Sequence, residues 1–148
     1  MDKPTEQPIE TPIRVRYAET DQMRQAYNSH YLVWFEAARG HLMRHLGIPY
    51  GDIEATGFYL PVSRFWARLS RPARYDDALG VRIWVAGLQS RAVEFYYRIM
   101  RDGEMLAEGG TTHVNVDAAG RPTRLPESPH RALAAYAARH PLPATSRR

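Results

Sequence analysis

Between Asn28 and Leu46 the chain carries apolar residues at helical spacing, and most of the chain beyond Leu46 alternates like strand. Tyr31, Phe35, Ala38, Leu42 and the His45/Leu46 pair recur every three to four positions, the period of one helix face. Leu32, Trp34 and Met43 widen that face, so the helix is expected to be buried on more than one side. Asn28 or Ser29 can accept from the free amides of the first turn; Gly47 can end the helix and Pro49 cannot continue it. Upstream, Ile13, Val15 and Tyr17 alternate with Arg14 and Arg16, as in a half-buried strand that ends near Asp21. Downstream, Leu60 to Leu69, Val81 to Val85, Val93 to Ile99 and Leu106 to Val116 read as strands. They are separated by Arg71-Pro72, Tyr75-Asp76-Asp77, Gln89-Ser90-Arg91 and Asp102-Gly103. The Ala-rich stretch Arg131 to Arg139 predicts a short helix, frayed by Pro141 and Pro143. One strand, one long apolar helix and a run of antiparallel strands fit an α+β fold in which the sheet wraps the helix and each buries the other. No Gly-rich phosphate loop follows a strand, so a dinucleotide-binding unit is not expected.

At 148 residues and 44% hydrophobic content, the chain can bury the core of one domain. The expected organisation is a flexible tail over 1–10, a single domain over 11–140 and a basic tail over 141–148, which ends in Arg147 and Arg148. There is no cysteine, which excludes disulfides, thiolate ligands and a thiol nucleophile, and is compatible with a reducing compartment. No apolar run approaches the roughly 20 residues needed to span a bilayer, and the polar, Pro-rich N-terminus lacks a signal-peptide core. A cytoplasmic, soluble protein without membrane insertion is expected. The net charge of +4 could suit nucleic acid, but Arg is spread along the whole chain. A small polyanion such as a nucleotide-bearing thioester fits equally well, and nucleic-acid binding is not expected.

The chemistry points to Asp21. A carboxylate just ahead of a helix start pairs a nucleophile or base with free backbone N–H groups, here at Asn28, that can meet an oxyanion. By itself an Asp in this position more often serves a turn. The surrounding residues change that balance. Tyr17-x-Glu19-Thr20-Asp21, then Tyr27-Asn28-x-x-Tyr31-Leu32-x-Trp34-Phe35-Glu36-x-x-Arg39, closely resembles the signature of hotdog-fold acyl-CoA thioesterases. The similarity is to the 4-hydroxybenzoyl-CoA thioesterase family and its relatives associated with the Tol–Pal system, and covers roughly residues 13 to 127. Leu46-Gly47-Ile48-Pro49-Tyr50, Pro72-Ala73-Arg74-Tyr75-Asp76-Asp77 and Ala107-Glu108-Gly109 extend it.

This resemblance implies a hotdog fold, a catalytic Asp at Asp21 and a substrate carbonyl held by the backbone N–H of Asn28. It implies substrate contacts from Tyr17, Tyr27 and Tyr31, and a contact between Arg91 and the CoA nucleotide. It further implies a homodimer or homotetramer with sites at the dimer interface, an acyl-CoA substrate and neither metal nor cofactor. An acyl carrier protein is the alternative thioester donor, and a non-catalytic acyl-thioester-binding protein is a further one. The chain departs from the family pattern at Arg24, where Gly is usual, and at Ala26, where Val is usual. Arg24 is expected to pair with Glu19 or another acid, or to point at the substrate.

Tyr17 and Tyr27 read as lining rather than proton donors, since a phenol is a poor acid at neutral pH. Glu36 is a rival acid on the helix but reads more simply as a partner for Arg39. His41 and His45 share a helix face without a third ligand, so no metal site is expected. His30 reads as pocket or interface, and His113 as core or interface. The absence of G-x-S-x-G argues against a serine hydrolase.

Overall fold

The computed structural model describes residues 7–144; residues 1–6 and 145–148, including Arg147 and Arg148 of the expected tail, lie outside the described residues. The elements are β1 (Glu10–Arg14), a 3-10 turn (Tyr17–Glu19), α1 (Ser29–His45), α2 (Tyr50–Ala55), β2 (Phe58–Tyr59), β3 (Val62–Leu69), β4 (Ala78–Leu88), β5 (Ala92–Arg101), β6 (Glu104–Val114), β7 (Val116–Asp117) and α3 (Glu127–Arg139). β1, β4, β5, β6 and β3 form one antiparallel sheet in the order β1-β4-β5-β6-β3, while β2 pairs with β7. The expected α+β architecture is therefore present.

The period-two pattern sets which sheet face meets α1. Val81, Ile83 and Val85 of β4 align with Ile99, Tyr97 and Phe95 of β5, and these with Ala107, Gly109 and Thr111 of β6. All are buried. On the helix side Tyr31, Trp34, Phe35, Ala38, Leu42 and Met43 meet them. Phe35 stacks on Tyr97 with ring centroids 4.5 Å apart and planes 12° from parallel. A Cβ on Gly109 would run into the Phe35 ring and the Trp66 carbonyl, so glycine is what lets helix and sheet approach this closely. Gly47, at φ 75°, ends the helix as its position suggested.

A buried polar chain crosses this core. Arg39, 8% exposed, donates from Nη1 to the Tyr97 hydroxyl (3.2 Å); Tyr97 meets Thr111 Oγ1 at 2.7 Å. Thr111 Oγ1 meets His113 Nε2 at 2.9 Å, and His113 Nδ1 meets the Leu60 carbonyl at 3.0 Å. A guanidinium only donates and a carbonyl only accepts. The Leu60 end puts a proton on His113 Nδ1, and a neutral His113 that accepts at Nε2 from Thr111, with Thr111 accepting from Tyr97, gives both hydroxyl hydrogens an acceptor.

Several expectations are corrected. β1 stops at Arg14, so Tyr17 lies in the 3-10 turn and not on a strand. Ile9 already packs on the core and its carbonyl accepts from the Ile83 amide (3.4 Å), so order begins inside the stretch expected as tail. The segment from Leu60 to Leu69 is not continuous, because Pro61 lacks the N–H a ladder needs; Phe58–Tyr59 pairs elsewhere. β6 stops at Val114, since buried Asn115 turns its amide to the Arg91 carbonyl and its side chain to the carbonyls of Thr123 and Arg124. α3 begins at Glu127 rather than Arg131.

Candidate active site

Asp21 opens a tight hairpin rather than ending a strand. Its amide donates to the Gln25 carbonyl (2.9 Å), and the Arg24 amide donates to the Asp21 carbonyl (3.0 Å). Thr20 pairs with Ala26 at the hairpin base. The Asp21 Oδ1 accepts from the Met23 amide at 2.8 Å, an Asx turn that fixes one carboxylate oxygen. The other oxygen takes no hydrogen bond among the described residues. The hairpin is docked on the connection between β3 and β4: the Ala26 amide donates to the Ala73 carbonyl (2.8 Å), and Gln25 pairs with Arg74.

The hairpin leads straight into α1. Asn28 has helical φ and ψ (−57°, −30°) and its side chain makes no capping bond, contrary to expectation. The His30 amide donates to the Tyr27 carbonyl and the Tyr31 amide to the Asn28 carbonyl. Among the described residues no acceptor takes the Asn28 amide, so a free donor remains at the positive end of the helix dipole.

Arg24 occupies the left-handed region at φ 63°, the conformation that glycine adopts without strain. The loop geometry that the usual Gly would allow is thus kept despite the substitution. Arg24→Gly is expected to raise stability by about 0.5–1 kcal/mol in urea unfolding. A loss instead would mean that the Arg24 side chain makes a compensating contact. Its expected pairing with Glu19 is not made, because Glu19 is 4% exposed and bound to Arg16, Trp34 and His30.

Of the remaining expected site residues, Tyr17 (78% exposed) and Tyr27 surround the hairpin, and Tyr17 meets Tyr75 edge-on at 5.8 Å. Tyr31 does not line an open surface: it is buried, and its hydroxyl accepts from the Ala73 amide (3.1 Å). Arg91 sits in the β4–β5 turn, at the opposite end of β4 from the hairpin. Eleven strand residues separate the two ends, roughly 30 Å or more, so one chain does not bring Arg91 to Asp21. Exposed Arg16, Arg24 and Arg74 border the hairpin instead.

Glu36 is exposed and makes no ion pair with Arg39, whose Nη1 donates to Tyr97 instead. His41 bonds to Thr11 (2.7 Å), and no group of three metal-ligating side chains occurs among the described residues. His113 is core, as expected. Glu19, Met23, Arg74 and Tyr75 were not singled out for the site. Tyr75 and Arg74 were legible as neighbours of the turn, but Glu19 gave no local sign of its contact with Trp34. A cleft of about 820 Å³ runs along α1 between β1 and α2, lined by Val33, Glu36, Arg39, Arg44 and Tyr50 among others; neither Asp21 nor Asn28 borders it.

Comparison with known proteins identifies the family. YneP of Bacillus subtilis is 35% identical over 106 residues, 71% of this chain and 77% of that one. A hypothetical protein from Thermus thermophilus superposes with a TM-score of 0.83 at 42% identity, covering 86% of this chain and 98% of that one. The DHNA-CoA thioesterase from Staphylococcus aureus gives a TM-score of 0.83 at 30% identity, over 87% and 90%. Residues 15–135 match the thioesterase-like superfamily, and the chain belongs to that hotdog-fold family.

Proposed function

We propose that the protein hydrolyses an acyl-CoA thioester to the free acid and CoA, with Asp21 as nucleophile or general base and the Asn28 amide as oxyanion donor. The observation that carries this reading is the pairing of two unspent groups on one short segment: a carboxylate with one oxygen fixed and one free, and a helix-start amide without an acceptor. As the thioester carbonyl is attacked, charge develops on its oxygen, and a fixed N–H at a helix start stabilises that charge without reorganising. Asp21 either attacks the carbonyl, giving a mixed anhydride that water then cleaves, or takes a proton from the attacking water. In both routes the thiolate of CoA leaves and is protonated. Exposed Arg16, Arg24 and Arg74 offer charge suited to the CoA phosphates. The relatives support the substrate class, since they include an acyl-CoA thioester hydrolase, YbgC of Escherichia coli, and the DHNA-CoA thioesterase.

A panel of acyl-CoAs and the matching acyl carrier proteins tests this proposal. CoA esters should turn over with higher kcat/KM; preference for the carrier-bound acyl group would assign the basic surface to an acidic carrier.

One chain leaves this site open: Tyr17, Met23 (70% exposed) and Tyr27 face solvent around Asp21. The sheet also ends on β3, where Val62, Phe65 (60% exposed) and Leu69 are uncovered along a free strand edge. An apolar, unpaired edge is a template for a second chain. The expected assembly is at least a dimer. Light scattering should give twice the chain mass or more, and Phe65→Asp should give a monomer with activity reduced at least about 10-fold, because a charge buried in such an interface is costly. A fully active monomer would remove the partner from the site.

A further inference from the structure

The hairpin holding Asp21 is bonded across its base and to Ala73 and Arg74, but none of these bonds reaches α1. Its tip is exposed, Arg24 sits in a strained conformation, and the Asp21 carboxylate is tied only within the tip. What joins the hairpin base to α1 is Glu19. Its Oε1 accepts from the Arg16 amide (2.8 Å), with Arg16 Nε at 3.4 Å. Its Oε2 accepts from the Trp34 indole N–H (3.0 Å) and lies 3.8 Å from His30 Nδ1. Its main-chain carbonyl accepts from the Tyr27 amide (2.8 Å). Trp34 lies in the second turn of α1 and Tyr27 directly precedes Asn28. One residue is thus bonded to the segments on both sides of the two proposed reacting groups.

The site needs a carboxylate in particular. The Arg16 amide and the Trp34 indole are both obligate donors, and each faces a different oxygen. Only an ionised carboxyl accepts on both sides; a carboxamide would turn its NH2 against one of them. Burial alone would push the Glu19 carboxyl up. The hydrogen bonds from Arg16 and Trp34, with the Arg16 charge, outweigh burial and leave it below its ordinary value, hence ionised.

We infer that Glu19 is a positioning residue for the hydrolysis, setting the Asp21 carboxylate against the Asn28 amide through its bond to Trp34. The inference rests on the proposed role of Asp21 as nucleophile or base. Glu19 does not touch the substrate, and its contribution is geometric: a misplacement of about 1 Å can cost on the order of 100-fold in rate.

The experiment compares Glu19→Gln, Trp34→Phe and the double variant by kcat, KM and melting temperature, with Asp21→Asn measured alongside. Glu19→Gln should lower kcat per folded protein about 10- to 100-fold while KM stays within about 3-fold. Trp34→Phe removes the donor that the carboxamide opposes, so the two drops should not multiply, and Glu19→Gln should cost little in the Trp34→Phe background. A lower melting temperature with unchanged kcat would make Glu19 merely structural and overturn the inference, as would drops that multiply. Should Glu19→Gln fail to fold, Trp34→Phe alone decides: kcat must fall with KM held, and unchanged kcat overturns it. If Asp21→Asn is inactive while Glu19→Gln keeps its kcat, only this inference fails. If Asp21→Asn keeps its turnover, the Asp21 reading fails first.

Discussion

Asp21→Asn is expected to lower kcat for acyl-CoA hydrolysis by about 100-fold or more, with the fold and KM nearly unchanged. The change is isosteric, and the carboxamide oxygen can still accept from the Met23 amide at the tip, so the hairpin keeps its shape. What is lost is the anionic oxygen without a partner, the atom that would attack the carbonyl or take the proton of water. Asn28 keeps its free amide, so residual turnover from oxyanion stabilisation should remain above the uncatalysed rate. Near-wild-type turnover in Asp21→Asn together with an inactive Glu36→Gln would move the chemistry to the exposed face of α1.

The second large effect is on stability at mildly acid pH. Burial, and then the nearby Arg39 charge, push the His113 imidazole from 6.5 down to about 4, with the Leu60 carbonyl opposing. The unfolded chain therefore takes up the proton first as pH falls. This contribution is fully present above pH 6.5, is lost progressively between 6.5 and about 4, and is flat below that. At about 1.4 kcal/mol per pH unit, the loss across the window is about 3 kcal/mol. The geometry gives the same sign. A proton on Nε2 would donate to Thr111 Oγ1, leaving the Thr111 and Tyr97 hydroxyls facing each other so that one of their two hydrogens has no acceptor in the chain. In urea unfolding from pH 7 to 4, His113→Gln should be less stable at pH 7 but lose about 3 kcal/mol less than wild type on acidification. Parallel curves for the two proteins would show that His113 does not carry the acid sensitivity.

Local signals were readable where local chemistry decides the backbone. Gly47 before Pro49 marked the end of α1, and Asp102-Gly103, both at positive φ, marked the β5–β6 hairpin. The β4 and β5 patterns gave strands because Val81, Ile83 and Val85, and Val93, Phe95, Tyr97 and Ile99, recur at every second position and are all buried, although the residues between them are partly or fully buried as well. The hairpin at Asp21 was not readable as one, since its left-handed position carries Arg24 where a glycine would have signalled a turn. Pro61 did signal a break, one that the apolar run around it masked. Glu19 could not be found from its neighbours, because its partner Trp34 is fifteen residues away; nor could the Arg39–Tyr97 bond, fifty-eight residues apart, be foreseen from the nearer Glu36. Asp21 and Asn28 were singled out through family resemblance; that one carries a free carboxylate oxygen and the other a free amide became visible only in three dimensions.

The site itself is tested most directly by titrating the 15N-labelled protein with an acyl-CoA analogue in which carbon replaces the thioester sulfur. Binding should shift the amides of Asn28 and of the Asp21–Arg24 hairpin most strongly, with the Asn28 amide moving as it gains a carbonyl acceptor. Shifts confined to Val33, Arg39, Arg44 and Tyr50 around the large cleft on α1, with Asn28 unmoved, would contradict the account.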